Sequence, residues 1–133
     1  MFWFTFISTL FFDQLSKVLA TDYFEVVFNA GISFSWLQQL PTNFLTVVLL
    51  ILAAAFLLIL KNEWLKYPGL SGIFWGGAVS NLVDRILFGG VQDWLPLPWL
   101  GVTNNLADVF MSGALVLIML RELRHYLRKN NEN

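Results

Sequence analysis

Carboxylates are the only groups in this chain equipped for acid–base catalysis. There is no cysteine and a single histidine, His125, so thiolate nucleophiles, iron–sulfur clusters, thiolate zinc sites and multi-histidine metal sites are excluded. No serine–histidine pair or phosphate loop stands out, and no metal or other cofactor is expected. Two acids are placed to work together: Asp108, anchored in an apolar helical stretch, and Asp93, on a loop that follows Gly89–Gly90 and is free to swing over it. Two aspartates close enough to share a proton keep one protonated and one ionised, because two charges at about 3 Å are too costly. The ionised partner deprotonates a water for attack on a peptide carbonyl. The protonated partner donates to the carbonyl oxygen and then to the leaving amine.

Other polar residues share this setting. Asp13–Ser16–Lys17 and Asn81–Asp84–Arg85 are each spaced i, i+3, i+4, and Asn105–Asp108 is i, i+3, so each set projects from one helix face. Plainer readings stand beside the catalytic one. Asp13 with Lys17, and Asp84 with Arg85 or a neighbouring helix, serve as ion pairs that lock helices together. Asn81 and Asn105 serve as interhelical hydrogen bonds, and Asp93 as a solvated loop acid.

The elements that must position these groups are membrane spans. The 133 residues are 57% hydrophobic, 17% aromatic and 13% charged, with mean hydropathy +0.65, about half the charge of a soluble domain. A net charge of −1 gives no basic field for nucleic acid. From Val26 to Leu60 there is no Asp, Glu, Lys or Arg, and residues 41–60 reach roughly 30 Å as a helix, the thickness of a hydrocarbon core. The fold expected is a single all-α membrane domain of four transmembrane helices, at about 1–20, 41–60, 67–87 and 102–121. The first is retained rather than cleaved as a signal peptide, because no basic residue precedes it.

Lys61, Lys66, Arg121, Arg124, Arg128 and Lys129 place the 61–66 loop and the 122–133 tail in the cytoplasm, together with the N-terminus. The loops 21–40 and 88–101 are then extracytoplasmic, and the polar residues named above converge near the outer face. The Trp94, Pro96, Pro98, Trp99 cluster suits an interfacial belt. Gly72, Gly76 and Ser80 form a small-residue stripe for close helix packing.

Five motifs, taken together, resemble the lipoprotein signal peptidases (type II signal peptidases). Asp13-Gln-Leu-Ser16-Lys17 matches that family's DxxSK, and Asn29-Ala-Gly31-Ile-Ser-Phe34-Ser matches NxGxAFS. Gly76-Gly77-Ala-Val-Ser80-Asn81-Leu-Val-Asp84-Arg85 matches GGxxGNxxDR, Val91-Gln-Asp93-Trp matches VxDF, and Asn105-Leu-Ala107-Asp108 matches NxAD. The resemblance implies an aspartyl endopeptidase with Asp93 and Asp108 as its catalytic dyad. Asp13, Lys17, Asn29, Gly31, Asn81, Arg85, Asn105 and Ala107 would support or line the substrate cleft, and Asp84 would be structural.

It further implies a protein of the bacterial cytoplasmic membrane, in contact with membrane lipids; a monomer is expected. No cofactor is implied. The substrate would be a lipidated prolipoprotein, cut before its diacylglyceryl-modified cysteine. A small extracytoplasmic β-cradle between helices 1 and 2 is implied as well, for which Glu25–Phe28 and Ile32–Phe34, turning at Ala30–Gly31, are the candidate strands. Ser33, Ser80 and Asn104 depart from the pattern, and the cradle and the 93–108 segment are short. The alternatives are a non-catalytic lipopeptide-binding relative and, behind it, a proton-coupled carrier; internal repeats, expected of a carrier, are not seen.

Overall fold

The computed structural model describes residues 1–29, 42–59 and 61–131. Helix α1 (Phe2–Tyr23) ends where Phe24 turns extended, its N–H still bonded to Ala20 O. Strand β1 (Val27–Asn29) precedes α2 (Thr42–Ile59) and the short α3 (Lys61–Lys66). Helix α4 (Pro68–Phe88) begins with a proline, whose missing N–H costs nothing in the first turn. It stops at Gly89, which takes the left-handed conformation (φ 74°) that a glycine adopts without strain. Strands β2 (Val91–Asp93), β3 (Leu95–Leu97) and β4 (Val102–Asn104) lead into α5 (Leu106–Asn131).

The largest fully buried side chains are Lys17, Asn105, Asp13, Asp84, Ser71 and Ser80, all of them polar. The outside carries the apolar residues: on α1, Trp3, Phe4, Ile7, Phe11 and Phe12 are exposed, while Thr9, Asp13, Lys17 and Ala20 are buried. α1 and α4 approach closely along the small-residue stripe. A Cβ at Gly76 would lie 2.5 Å from Phe6 O, and one at Gly72 would run into Thr5 Oγ1 and Phe2 O. Gly77 faces α5 instead, where a Cβ would meet Ala107 O at 2.9 Å. At the far end, rings of Phe56, Trp64, Phe74 and Trp75 pack with centroids 5.1–5.6 Å apart, mostly edge to face, joining α2, α3 and α4.

The described residues bear on several of these expectations. Among the described residues no helix is long and apolar enough to cross a membrane; Asp13 and Lys17 in α1, Asp84 and Arg85 in α4, and the charged last turns of α5 lower the apolarity of those helices. Residues 61–66 form a helix rather than a loop, and α5 continues past 121 as far as Asn131, since the 122–131 stretch holds neither Pro nor Gly to stop it. The 88–101 segment is not a bare loop. β2 pairs antiparallel with β1 in the register Val27↔Asp93, Phe28↔Gln92, Asn29↔Val91, and β3 pairs with β4, in residues 102–104 expected to begin the last span. The described partner of Val27–Asn29 is therefore the Asp93 strand. Gly31 and Ile32–Phe34, the other half of the expected cradle, lie outside the described residues.

Candidate active site

Lys17 sits at the junction of α1, α4 and α5, 1% exposed. Its ammonium carries three N–H groups, and three acceptors meet it: Asp13 Oδ2 at 2.6 Å, Asp84 Oδ2 at 2.8 Å and Asn81 Oδ1 at 3.0 Å. The buried cation is thus fully matched, the condition under which such burial is tolerated. Asp13 is filled as well: Ser80 Oγ donates to Oδ2 at 2.7 Å, and the Ala107 N–H donates to Oδ1 at 2.7 Å. Asp84, one of whose two expected partners was Arg85, pairs with the neighbouring helix through Lys17. It also accepts from Gln14 Nε2 (2.8 Å) and the Gln92 N–H (3.1 Å).

This network reaches the two candidate acids through asparagines. Asn81 accepts from Lys17 and donates to Asp108 Oδ1 at 2.8 Å. Asn105 caps α5, its Oδ1 accepting the Asp108 N–H at 2.9 Å; with the Ala107 N–H given to Asp13, two amides of the first turn that lack helical partners are satisfied. The same side chain donates from Nδ2 to Asp93 Oδ1 at 2.6 Å, and Asn29 donates to Asp93 Oδ2 at 3.1 Å. Asn29 and Asp93 stand on adjacent strands, so the β1–β2 ladder sets this contact.

Asp93, Asp108, Asn29, Asn81 and Arg85 line one cavity of about 330 Å³ whose remaining wall is mostly apolar, with Leu49, Leu50 and Ala53 from α2 and Trp75, Val79 and Leu82 from α4. Arg85 lies where its charge acts on both acids and bonds Asn81 O at 3.3 Å. Asp13, Lys17, Asp84 and Ala107 stand behind the cavity, and Gly31 is outside the described residues. Among the described residues no group of three or more His, Cys, Asp or Glu is placed to hold a metal ion.

The sequence profile of Signal peptidase (SPase) II matches residues 5–124. The chain belongs to the signal peptidase II family. It is similar to the lipoprotein signal peptidase of Caldicellulosiruptor bescii, 30% identical over 89% of this chain and 87% of that one. It is also similar to that of Campylobacter jejuni, 29% identical over 98% and 92%. In fold it matches a solved bacterial membrane enzyme with TM-score 0.74 at 22% identity, over 95% of this chain and 89% of the other. A second such structure gives 0.72 at 19% identity. Processing of prolipoprotein signal peptides is the activity this family membership supports.

In this signal peptidase II chain the Asp93 carboxyl is 2% exposed. Burial pushes its pKa from 3.8 up to about 6, against the hydrogen bonds from Asn29 and Asn105 and with help from the Asp108 charge. One supporting residue escaped the sequence reading, and a second was read only as a packing position. Gln14 donates to Ser80 O, Ser80 Oγ and Asp84 Oδ1, and the Ser80 hydroxyl that departs from the family pattern bonds Asp13. A lone glutamine inside an apolar helix was the available signal for the first.

Proposed function

We propose that this chain is an aspartyl endopeptidase that removes the signal peptide from diacylglyceryl-modified prolipoproteins, with Asp93 and Asp108 as its dyad. The observation that carries the reading is the cavity lined by acids from two different elements, with Asn105 bonded both to the Asp93 carboxylate and to the Asp108 backbone N–H. Asp93, with its raised pKa, holds the proton and Asp108 acts as base. Asp108 takes a proton from water, whose oxygen adds to the scissile carbonyl while Asp93 protonates the carbonyl oxygen. As the tetrahedral species collapses and the C–N bond breaks, Asp93 takes back the hydroxyl proton while the carbonyl re-forms, and the amine leaves with the proton held by Asp108, which restores the dyad. Arg85 offsets the charge near both acids, and the apolar wall from α2 and α4 suits the signal segment or an acyl chain.

The membrane setting belongs to the same reading. A buried polar centre beneath an exposed apolar coat suits a hydrocarbon surround, where polar groups turn inward and pair. α1, α2, α4 and α5 would be the four spans of a monomer in the bacterial cytoplasmic membrane. Both termini would be cytoplasmic and the cavity would lie near the outer face.

The test is cleavage of a diacylglyceryl-modified prolipoprotein in lipid by wild type, Asp93→Asn and Asp108→Asn, with an unlipidated substrate as control. Lipid-dependent cutting lost in both variants is the expected result. Cutting that survives Asp93→Asn moves the second acid elsewhere. Binding without cutting by wild type makes the chain a lipopeptide-binding relative.

A further inference from the structure

A second cavity lies at the opposite end of the bundle, where α5 runs past the start of α4. Tyr67, Arg121, Arg124, His125, Arg128 and Asn131 line an open groove of about 570 Å³. Arg121, Arg124 and Arg128 are spaced i, i+3, i+7, which aligns them on one face of α5. The Arg121 guanidinium lies over the Tyr67 ring, 5.5 Å from its centroid, an arrangement that orients it. The nearby acid, Glu122, is taken by Lys66 at 2.6 Å. Among the described residues no carboxylate forms an ion pair with the three arginines, so the groove holds concentrated positive charge in a chain whose net charge is −1.

Exposed leucines run beside this charge. Leu127 lines the groove itself, and Leu117, Leu120 and Leu123 continue along the exposed surface of α5. Guanidinium groups recognise phosphate oxygens through paired N–H donors, and a leucine track leading away from them matches an acyl chain rather than a free ion. We propose that this groove binds the phosphate head group of an anionic phospholipid, with its acyl chains lying along α5. The proposal rests on the membrane reading above, though not on the peptidase activity.

The experiment uses the full chain purified in mild detergent and native mass spectrometry. The probes are phosphatidylglycerol, phosphatidylcholine of the same acyl length, and inorganic phosphate. Wild type is expected to retain phosphatidylglycerol well above phosphatidylcholine. An arginine at an anionic lipid surface contributes about a factor of five, so Arg124→Gln with Arg128→Gln should weaken retention about twentyfold or more. Arg124→Lys with Arg128→Lys should keep most of it, which separates lost charge from a lost fold.

Equal retention of the two lipids, indifference to the glutamine pair, or inorganic phosphate held as tightly as phosphatidylglycerol would each overturn the proposal. Prolipoprotein cleavage measured on the same preparations keeps the two readings apart. A chain that retains phosphatidylglycerol selectively but cuts nothing sinks the peptidase and leaves the groove standing.

Discussion

At Asn105 one amide group spans two acids, its nitrogen donating to Asp93 and its oxygen holding the Asp108 N–H. The cap that starts α5 therefore also sets where Asp108 sits relative to the strand carrying Asp93. The carboxyl held there has a pKa raised from 3.8 to about 6, so the folded chain binds this proton more tightly than the unfolded one. Its contribution to stability is complete below pH 4 and is lost as pH rises through 6. Asp93→Asn removes that dependence. Denaturation in detergent at pH 4 and pH 7 should show the stability of Asp93→Asn relative to wild type improving by up to about 3 kcal/mol at the higher pH, on top of any constant offset from the altered hydrogen bonds. As the proton holder, Asp93 should also give kcat/KM an alkaline limb near pH 6. A flat profile from pH 5 to 8 would remove it from that role.

At the scale of elements, the α1–α4 contact depends on the absence of side chains. The nearest obstacles to a Cβ at Gly76 are Phe6 O and the Thr9 side chain, and helix backbone does not yield as a flexible side chain does. Gly76→Val should cost about 1–3 kcal/mol by overpacking, read as a lower melting temperature. The same change at Gly113, where no atom lies within 4 Å of an added Cβ, should cost less than at Gly76; equal losses would mean that helix propensity, not the close approach, sets the effect.

This contact was legible in the sequence because Gly72, Gly76 and Ser80 repeat at the helical period, as the i, i+3, i+4 spacing of Asp13, Ser16 and Lys17 marked a face. The β1–β2 pairing was not legible. Strands of three residues carry no readable alternation, and Val27 and Asp93 are brought together by tertiary structure alone. Gln14 was missed because it falls outside the spacing that flagged its neighbours, and α3 because Lys61–Lys66 is too short and too charged to show a period.

Across the whole molecule, the interior is held by ionic and hydrogen-bonded groups where a water-soluble domain would use aliphatic ones. Lys17 is the common partner, neutralising Asp13 and Asp84 and orienting Asn81. Lys17→Met keeps the length of the side chain but leaves two buried carboxylates without their cation. The loss should be about 3–5 kcal/mol, measured by thermal unfolding in detergent. A variant as stable as wild type would show that Lys17 does not hold this centre together.

The bond from Asp13 to the Ala107 N–H joins positions 94 residues apart. A chain emerging in order from its N-terminus can form the Lys17–Asp84 bridge once α4 has arrived. Asp13 then still lacks the amide it accepts from, and the segment bearing Asp108 has not been made. Synthesis of α5 supplies both at once, so this centre is completed only once α5 has left the ribosome, and no nascent form that stops short of α5 carries it.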